Sequence, residues 1–258
     1  MIPPHKKTLD TGFRKPPTVT LPERLELEYM LSQRRLVRDL AWLTVASLSK
    51  FREDQRQDSD ELLAWLGLSA PQALDEAQLR RRLRLIGVRL THEKLQELST
   101  LLGWQVRAPR TASVEKWIDA QVLAIQSTID NWLVAAGEEI RRSRLHGMAM
   151  ADMTVTLRTL QSQAGERAER RASAAILQLN SQLIEETARG AGSTHYRWMT
   201  EDDGRVRDWH MEKHGDVFSW DSPPAGGGSH KGDAGHPGSG YGCRCVPVPI
   251  QGKPQKKF

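Results

Sequence analysis

The sequence predicts a mainly α-helical protein, with long packed helices and a small C-terminal α+β module that contains short strands and Gly/Pro-rich loops. Before residue 190, apolar residues recur every three or four positions, which is the spacing of amphipathic helices. After that point the periodicity stops and glycine, proline and histidine become frequent. Both cysteines and five of the eight histidines lie in this last part.

The helical body is expected over residues 21–164, after a proline-rich extended arm at residues 1–20. Its first helix is predicted at residues 21–52, with Pro22 in the first turn, where proline is well tolerated. A short helix is predicted at residues 58–66, because Asp58 or Ser59 can cap it.

Two further helices are predicted at residues 74–86 and 91–102, with Gly87 and Thr91 marking a break between them. The clearest helix spans residues 112–143 and carries one continuous apolar stripe. Such a long helix needs a partner along its length, and the first helix is expected to supply it. Three tryptophans of these stripes are expected in the core, namely Trp42, Trp117 and Trp132.

The C-terminal module is expected over residues 165–250, followed by a basic tail at residues 251–258. A short helix at 154–160 precedes it, and its own first element is a helix at about 165–188. Alternating residues and turn signals then predict four strands, at residues 195–199, 205–207, 217–220 and 243–249. The last is expected at a sheet edge, because its prolines cannot donate to a ladder.

Composition and apolar runs argue against a disordered, a membrane-spanning or a secreted protein. With 38% apolar and 27% charged residues, the chain of 258 residues is expected to fold. No apolar run approaches the ~18–20 residues of a membrane helix, and no apolar segment follows the basic N-terminus as in a secretory signal. The net charge of +5 is spread among acidic residues, which favours solvated helix faces over a DNA-binding surface.

Histidine and cysteine in the C-terminal module predict a candidate zinc site formed by His210, His236, Cys243 and Cys245. A small glycine-rich unit has little core, and such units often need a metal as a staple. The spacing differs from that of a standard zinc finger, since there is no Cys-x-x-Cys pair. The alternative is that the cysteines are small buried side chains and the histidines are exposed. A disulfide between the two cysteines is not expected.

A polar network is predicted around Asp203, Arg205 and Arg207, where Asp–Arg pairs would hold a hairpin, with Trp198 and Trp220 as apolar filling. A catalytic role for His210 or Asp203 is the alternative, but no nucleophile elbow, phosphate loop or paired carboxylate motif accompanies them. Structure is therefore favoured over catalysis, and substitution of Arg205 is expected to unfold the module. The run Gly226–Gly228 is predicted to be a flexible loop.

An ordered series of segments then resembles the C-terminal module of the Mu F-like minor head proteins, a phage head morphogenesis family. The resemblance covers residues 165–250 and rests on the whole order and spacing of its segments. These segments are Arg171–Asn180, Tyr196–Thr200, Asp203–Arg207, His210, Gly215–Phe218, Pro223–Pro224, His236–Gly238 and Cys243–Cys245 with Pro247. The helices before residue 150 carry no such motif.

The resemblance implies a minor capsid protein of a tailed bacteriophage, with no catalytic or cofactor-binding residues. Such proteins are present in several copies, join the procapsid in the host cytoplasm, and lie inside the head or at the portal vertex. The implied partners are the portal protein, the major capsid protein or both, with double-stranded DNA and its ejection as a further option. Some relatives have cysteines in place of Arg207 and His210, and many have proline in place of Asp208. This departure weakens the zinc hypothesis but keeps His210 as a candidate ligand.

Overall fold

The computed structural model describes residues 19–53, 75–102, 106–109, 111–201 and 204–251. The described residues form five helices and a three-stranded sheet, so the mainly α-helical class with a small α+β module is confirmed. The helices are α1 Glu23–Glu53, α2 Glu76–Leu102, α3 Thr111–Leu145, α4 Met150–Gly190 and α5 Asp208–Met211. The strands are β1 His195–Thr200, β2 Val217–Ser219 and β3 Cys245–Ile250. The short helix predicted at 58–66, residues 1–18 of the arm and residues 252–258 of the tail lie outside the described residues.

Helix α2 is continuous, so the break predicted at Gly87 and Thr91 is wrong. Thr91 satisfies its hydroxyl within the helix, where Oγ1 donates to the Gly87 carbonyl at 2.8 Å. Gly87 is buried at the crossing with α3, and a Cβ there would overlap Val114. The glycine therefore permits close helix packing and does not end the helix.

Helix α4 is also continuous, and the two separate helices predicted at 154–160 and 165–188 are one. It passes through Gly165, which is buried. A Cβ added at Gly165 would make only an ordinary van der Waals contact with Arg34. A single glycine costs about 1 kcal/mol in a helix, which the packing along α4 offsets. This helix runs across the boundary expected between body and module at residues 164–165.

The four long helices pack around two connected apolar clusters, and α4 contributes to both. Helix α1 lies mainly along α4 and less along α3, the partner expected for it. Trp117 and Trp132 are buried as predicted, and Trp132 donates its indole N–H to Thr44 at 3.1 Å. Trp42 is 68% exposed, so its predicted core position is wrong. The buried stripe of α1 passes through Leu40 and Ala41 and leaves Trp42 on the outer face.

The small sheet has the strand order β2-β1-β3, and both pairings are antiparallel. Strand β1 is central, and β3 lies at an edge as its prolines predicted. The return strand predicted at residues 205–207 is not formed, because β1 pairs with strands that are distant in sequence. Local turn signals could not reveal these long-range pairings.

The sheet covers the C-terminal half of α4 through a third apolar cluster, which holds Leu177 and Ile184 of α4 together with Tyr196 and Trp198 of β1. Hydrogen bonds also connect α4 to the chain between β2 and β3. Ser181 donates to the Pro237 carbonyl, and Gln178 donates to the Ser239 carbonyl at 3.2 Å. The module is thus built on the end of the longest helix.

Glycines in the segment between β2 and β3 pack backbone against backbone, which corrects the flexible loop predicted at Gly226–Gly228. These three residues are buried, and Ala225 forms a β-bridge with Ala234. A Cβ at Gly227 would overlap the carbonyl of Gly235. The segment is therefore compact with few apolar side chains, because its glycines let two stretches of chain meet directly. No described helix is long and apolar enough to span a membrane.

Candidate metal centre

Three of the four predicted zinc ligands meet in the interior of the module. The ring Nδ1 of His210 lies 3.4 Å from Cys243 Sγ and 3.6 Å from Cys245 Sγ. All three side chains are 1–2% exposed, and both cysteines are free thiols. Among the described residues, these three form the one group of histidine, cysteine or carboxylate donors close enough to hold a metal ion.

The chain brings these donors together from two separate segments. His210 lies on the four-residue helix α5. Cys245 is the first residue of β3, and Cys243 lies two residues before it. The two cysteines are separated by one residue, so an extended backbone directs both sulfurs to the same side. A turn precedes them, in which the Cys243 N–H donates to the Gly240 carbonyl at 3.0 Å and Gly242 adopts a positive φ of 66°.

Hydrogen bonds hold the donors in position. The other ring nitrogen of His210, Nε2, lies 3.1 Å from the Gly228 carbonyl oxygen, which can only accept, so Nε2 carries the proton. The unprotonated Nδ1 therefore faces the two sulfurs. The backbone N–H of Gly238 donates to Cys243 Sγ at 3.3 Å, and the ring of Trp198 meets that of His210 edge-on at 5.3 Å.

The two thiols differ in acidity because they share a proton. The pKa of Cys243 is lowered to about 4, first by the hydrogen bond from Cys245 and further by the Gly238 N–H, against the effect of burial. The pKa of Cys245 is raised, by the hydrogen bond that its thiol donates to Cys243 and by burial. The pair therefore presents one thiolate beside an unprotonated imidazole nitrogen, which is the chemistry of a soft metal-ligand set.

His236 is not brought into this group. Its Nδ1 lies 2.9 Å from the hydroxyl oxygen of Tyr196, and its ring packs at 5.7 Å from that of Trp220. The ring also makes a hydrogen bond to the backbone of Trp220. His236 thus bridges β1 and the chain after β2 within the third apolar cluster.

A comparison with protein families places these residues in a known context. Residues 137–248 match the family model described as phage Mu protein F like protein. This region is phage Mu F-like. The match includes the end of α3, the whole of α4, strands β1 and β2, the first four residues of β3 and the three clustered donors. It begins well before residue 165, the first residue covered by the resemblance to the family described above.

The chain is similar to an uncharacterized protein of Haemophilus influenzae, with 27% identity over 140 residues. The alignment covers 54% of this chain and 30% of that protein, so the chain spans less than a third of the length of this curated relative. No solved structure matches the chain. The family is one of phage head proteins.

The residues of the predicted polar network are spread through the Mu F-like region. Trp198 and Trp220 are buried in the third apolar cluster, as expected for its apolar filling. Arg207 donates to the Tyr241 carbonyl at 2.6 Å, which links the start of α5 to the turn before Cys243. Arg205 is exposed and has interactions of its own, while Asp203 lies outside the described residues. The Asp–Arg pairing of a hairpin stays a prediction.

An ion pair that the sequence reading did not identify connects the Mu F-like region to the first helix. Arg244, between the two cysteines, places Nη1 3.4 Å from Oε2 of Glu26 and Nη2 3.5 Å from Oε1 of Glu23 in α1. Ser173 of α4 donates to Glu26 at 2.6 Å. The position of Arg244 in the Cys-Arg-Cys segment directs it away from the sulfurs, and that alternation is the sequence signal that could have shown it.

Proposed function

We propose that this chain is a minor capsid protein of a tailed bacteriophage that acts in head morphogenesis. In this proposal it joins the procapsid through the portal protein or the inner face of the major capsid protein, and several copies remain in the virion. The observation that carries the proposal is the match of residues 137–248 to the Mu F-like family. The compact module on a long-helix body supports a structural role.

The distribution of charge supports binding to protein in preference to DNA. Arginines of α2 pair with acidic side chains of the neighbouring helices, as in Arg80–Asp119 at 2.7 Å and Arg84–Glu115 at 2.9 Å. Arg89 pairs with Glu28 of α1 at 3.0 Å. These exposed pairs add little stability, but they neutralise positive charge that a DNA surface would present to phosphates.

The geometry around His210 argues against the enzyme alternative. A general acid or base must reach its substrate, and His210 is 1% exposed with one ring nitrogen bonded to the Gly228 carbonyl. The two sulfurs occupy the side of the other nitrogen. Purified chain that is inert on DNA and nucleotides with divalent metals supplied would be the expected result, and turnover lost in His210→Ala would contradict it.

Procapsid assembly tests the proposed function. The chain would be co-expressed with the portal and major capsid proteins of the phage that encodes it, and the particles isolated by sedimentation and analysed by mass spectrometry. The wild-type chain is expected in the particles in several copies. The variant Gly232→Ala should be incorporated as well as the wild-type chain, because the added Cβ has no atom within 4 Å. Isolated particles that contain none of the co-expressed chain would contradict the proposal.

Binding to DNA is the remaining alternative and has its own measurement. Phosphate-driven binding weakens steeply between about 50 and 200 mM salt, because counterions compete for the phosphates. Under our proposal the purified chain shows no such salt-dependent binding to double-stranded DNA. Tight binding that falls with salt would instead favour a virion protein that leaves with the genome.

A further inference from the structure

The two distances from His210 Nδ1 to the clustered sulfurs match the nitrogen–sulfur edges of a tetrahedral zinc site. With Zn–N of about 2.05 Å and Zn–S of about 2.3 Å, a nitrogen and a sulfur ligand lie about 3.6 Å apart. His210 Nδ1 lies 3.4 Å and 3.6 Å from the sulfurs of Cys243 and Cys245. The spacing between the nitrogen and each sulfur is therefore that of ligands around one ion.

The orientation of His210 is the one a metal requires. A ligating histidine usually donates its second ring N–H to a carbonyl or carboxylate, which fixes the tautomer and leaves the first nitrogen to the metal. Here Nε2 bonds to the Gly228 carbonyl and Nδ1 faces the sulfurs. The N–H of Gly238 approaches Cys243 Sγ at 3.3 Å, a contact that stabilises a thiolate ligand.

The donor set selects the metal. Two thiolates and one imidazole suit Zn²⁺ and disfavour Mg²⁺ or Ca²⁺, which prefer oxygen ligands. We propose that His210, Cys243 and Cys245 together bind one zinc ion. No fourth donor from a histidine, cysteine or carboxylate lies in the group within the part of the chain that the structure describes, so a water molecule or another donor completes the tetrahedron.

The position of the site makes the ion structural. It joins the short helix α5 to the edge strand β3, and the Gly228 carbonyl that holds His210 belongs to the glycine-rich segment between β2 and β3. That segment packs through backbone contacts with few apolar side chains. The ligands are almost fully buried, which excludes bulk solvent from the ion. Zinc at this point ties together the part of the module that has the smallest core.

Zinc content is the first test. The full chain would be produced in zinc-containing medium without a histidine tag, dialysed, and analysed by elemental mass spectrometry. We expect close to one zinc per chain. The double variant Cys243→Ser/Cys245→Ser should lose at least tenfold of the bound zinc, while the matched control His230→Ala, an exposed histidine of the same module, should retain it. Wild-type chain without zinc, or equal zinc in both variants, would overturn the proposal.

A second measurement needs no variant in which a proposed ligand is changed. Wild-type chain would be exchanged with Co²⁺, and its absorption compared with that of the His230→Ala control. Two thiolate ligands give intense sulfur-to-cobalt charge-transfer bands in the near ultraviolet, and a tetrahedral site gives strong visible bands. Removal of zinc by a chelator should lower the melting temperature, and added zinc chloride should restore it. Absent charge-transfer bands, or a melting temperature indifferent to zinc, would refute the site.

Discussion

Arg244 and Glu26 form an ion pair that is almost closed to solvent, with Nη1 and Oε2 3.4 Å apart and side chains 10% and 9% exposed. The pair joins the strand that carries the cysteines to the first helix, 218 residues earlier in the chain. It adds a buried charge contact to the apolar packing between the Mu F-like region and the helical body, and Ser173 adds a hydrogen bond to Glu26 at 2.6 Å.

Removal of one partner of this pair is expected to destabilise the protein strongly. Arg244→Met leaves the carboxylate of Glu26 buried without its guanidinium, which typically costs about 3–5 kcal/mol. Urea unfolding followed by circular dichroism measures the loss. The double variant Arg244→Met/Glu26→Met should recover much of it, because both charges are gone. Additive losses in the double variant would show that the two side chains do not interact.

Substitution of Gly227 is expected to disrupt the glycine-rich segment. In Gly227→Ala the new methyl group overlaps the Gly235 carbonyl, a backbone atom that cannot move aside, and the cost should reach about 3 kcal/mol. Gly232→Ala is the matched control, since nothing lies within 4 Å of its Cβ. It should stay within about 0.5 kcal/mol of wild type. Limited proteolysis of residues 222–244 reports the difference, and equal protection of both variants would contradict the packing described above.

Two glycines of the long helices should respond in opposite directions to alanine. Gly165→Ala meets only an ordinary contact with Arg34 and should stabilise the protein by about 0.5–1 kcal/mol, because alanine favours the helix. Gly87→Ala overlaps Val114 and should destabilise it by about 1–3 kcal/mol. Thermal melting measures both changes. The addition of Val114→Ala to the Gly87→Ala variant should relieve the clash, and a stabilising Gly87→Ala would disprove the close crossing of α2 and α3.

His236 predicts a loss of stability in mild acid. Burial lowers the pKa of His236 below its ordinary value of 6.5. Of the charges on α4, Glu185 raises this pKa and Arg189 lowers it. The Nδ1 of His236 also forms a hydrogen bond with the hydroxyl of Tyr196. In the unfolded chain His236 takes up a proton as the pH falls through about 6.5, whereas in the folded chain its lower pKa delays protonation. The free energy of unfolding is therefore largest above pH 6.5 and decreases as the pH falls below it. Denaturant unfolding at about pH 7.5 and about pH 5.5 measures this loss. It should be smaller in His236→Asn, and an equal loss in both proteins would remove His236 as the cause.

The long helices were accessible from the sequence because each carries its own apolar stripe, and α3 was predicted within two residues at each end. The strands at residues 195–199 and 217–220 were identified for the same reason, since alternation is a local signal. Two of the errors arose at glycines. Gly87 was taken to break a helix and Gly165 to begin one, yet each lies inside a continuous helix whose packing against its neighbours outweighs the low helix propensity of glycine.

The three residues of the proposed metal site show which information is local in the sequence and which depends on the tertiary structure. Spacing alone placed Cys243 and Cys245 on one face and nominated His210, because these are properties of residue type and local geometry. Which histidine faces the sulfurs depends on how α5, the glycine-rich segment and β3 fold against one another. His236, nominated on equal terms, instead contacts Tyr196.

The sequence by itself determined the helical class, the position of the C-terminal module and its resemblance to Mu F-like proteins, because periodicity, turn residues and an ordered series of motifs are written along the chain. Only the tertiary structure decided that β1 is central, that the glycine-rich segment is compact, and that Arg244 reaches Glu26. These features are contacts between residues far apart in the chain, and their energies depend on burial and distance that no local pattern encodes.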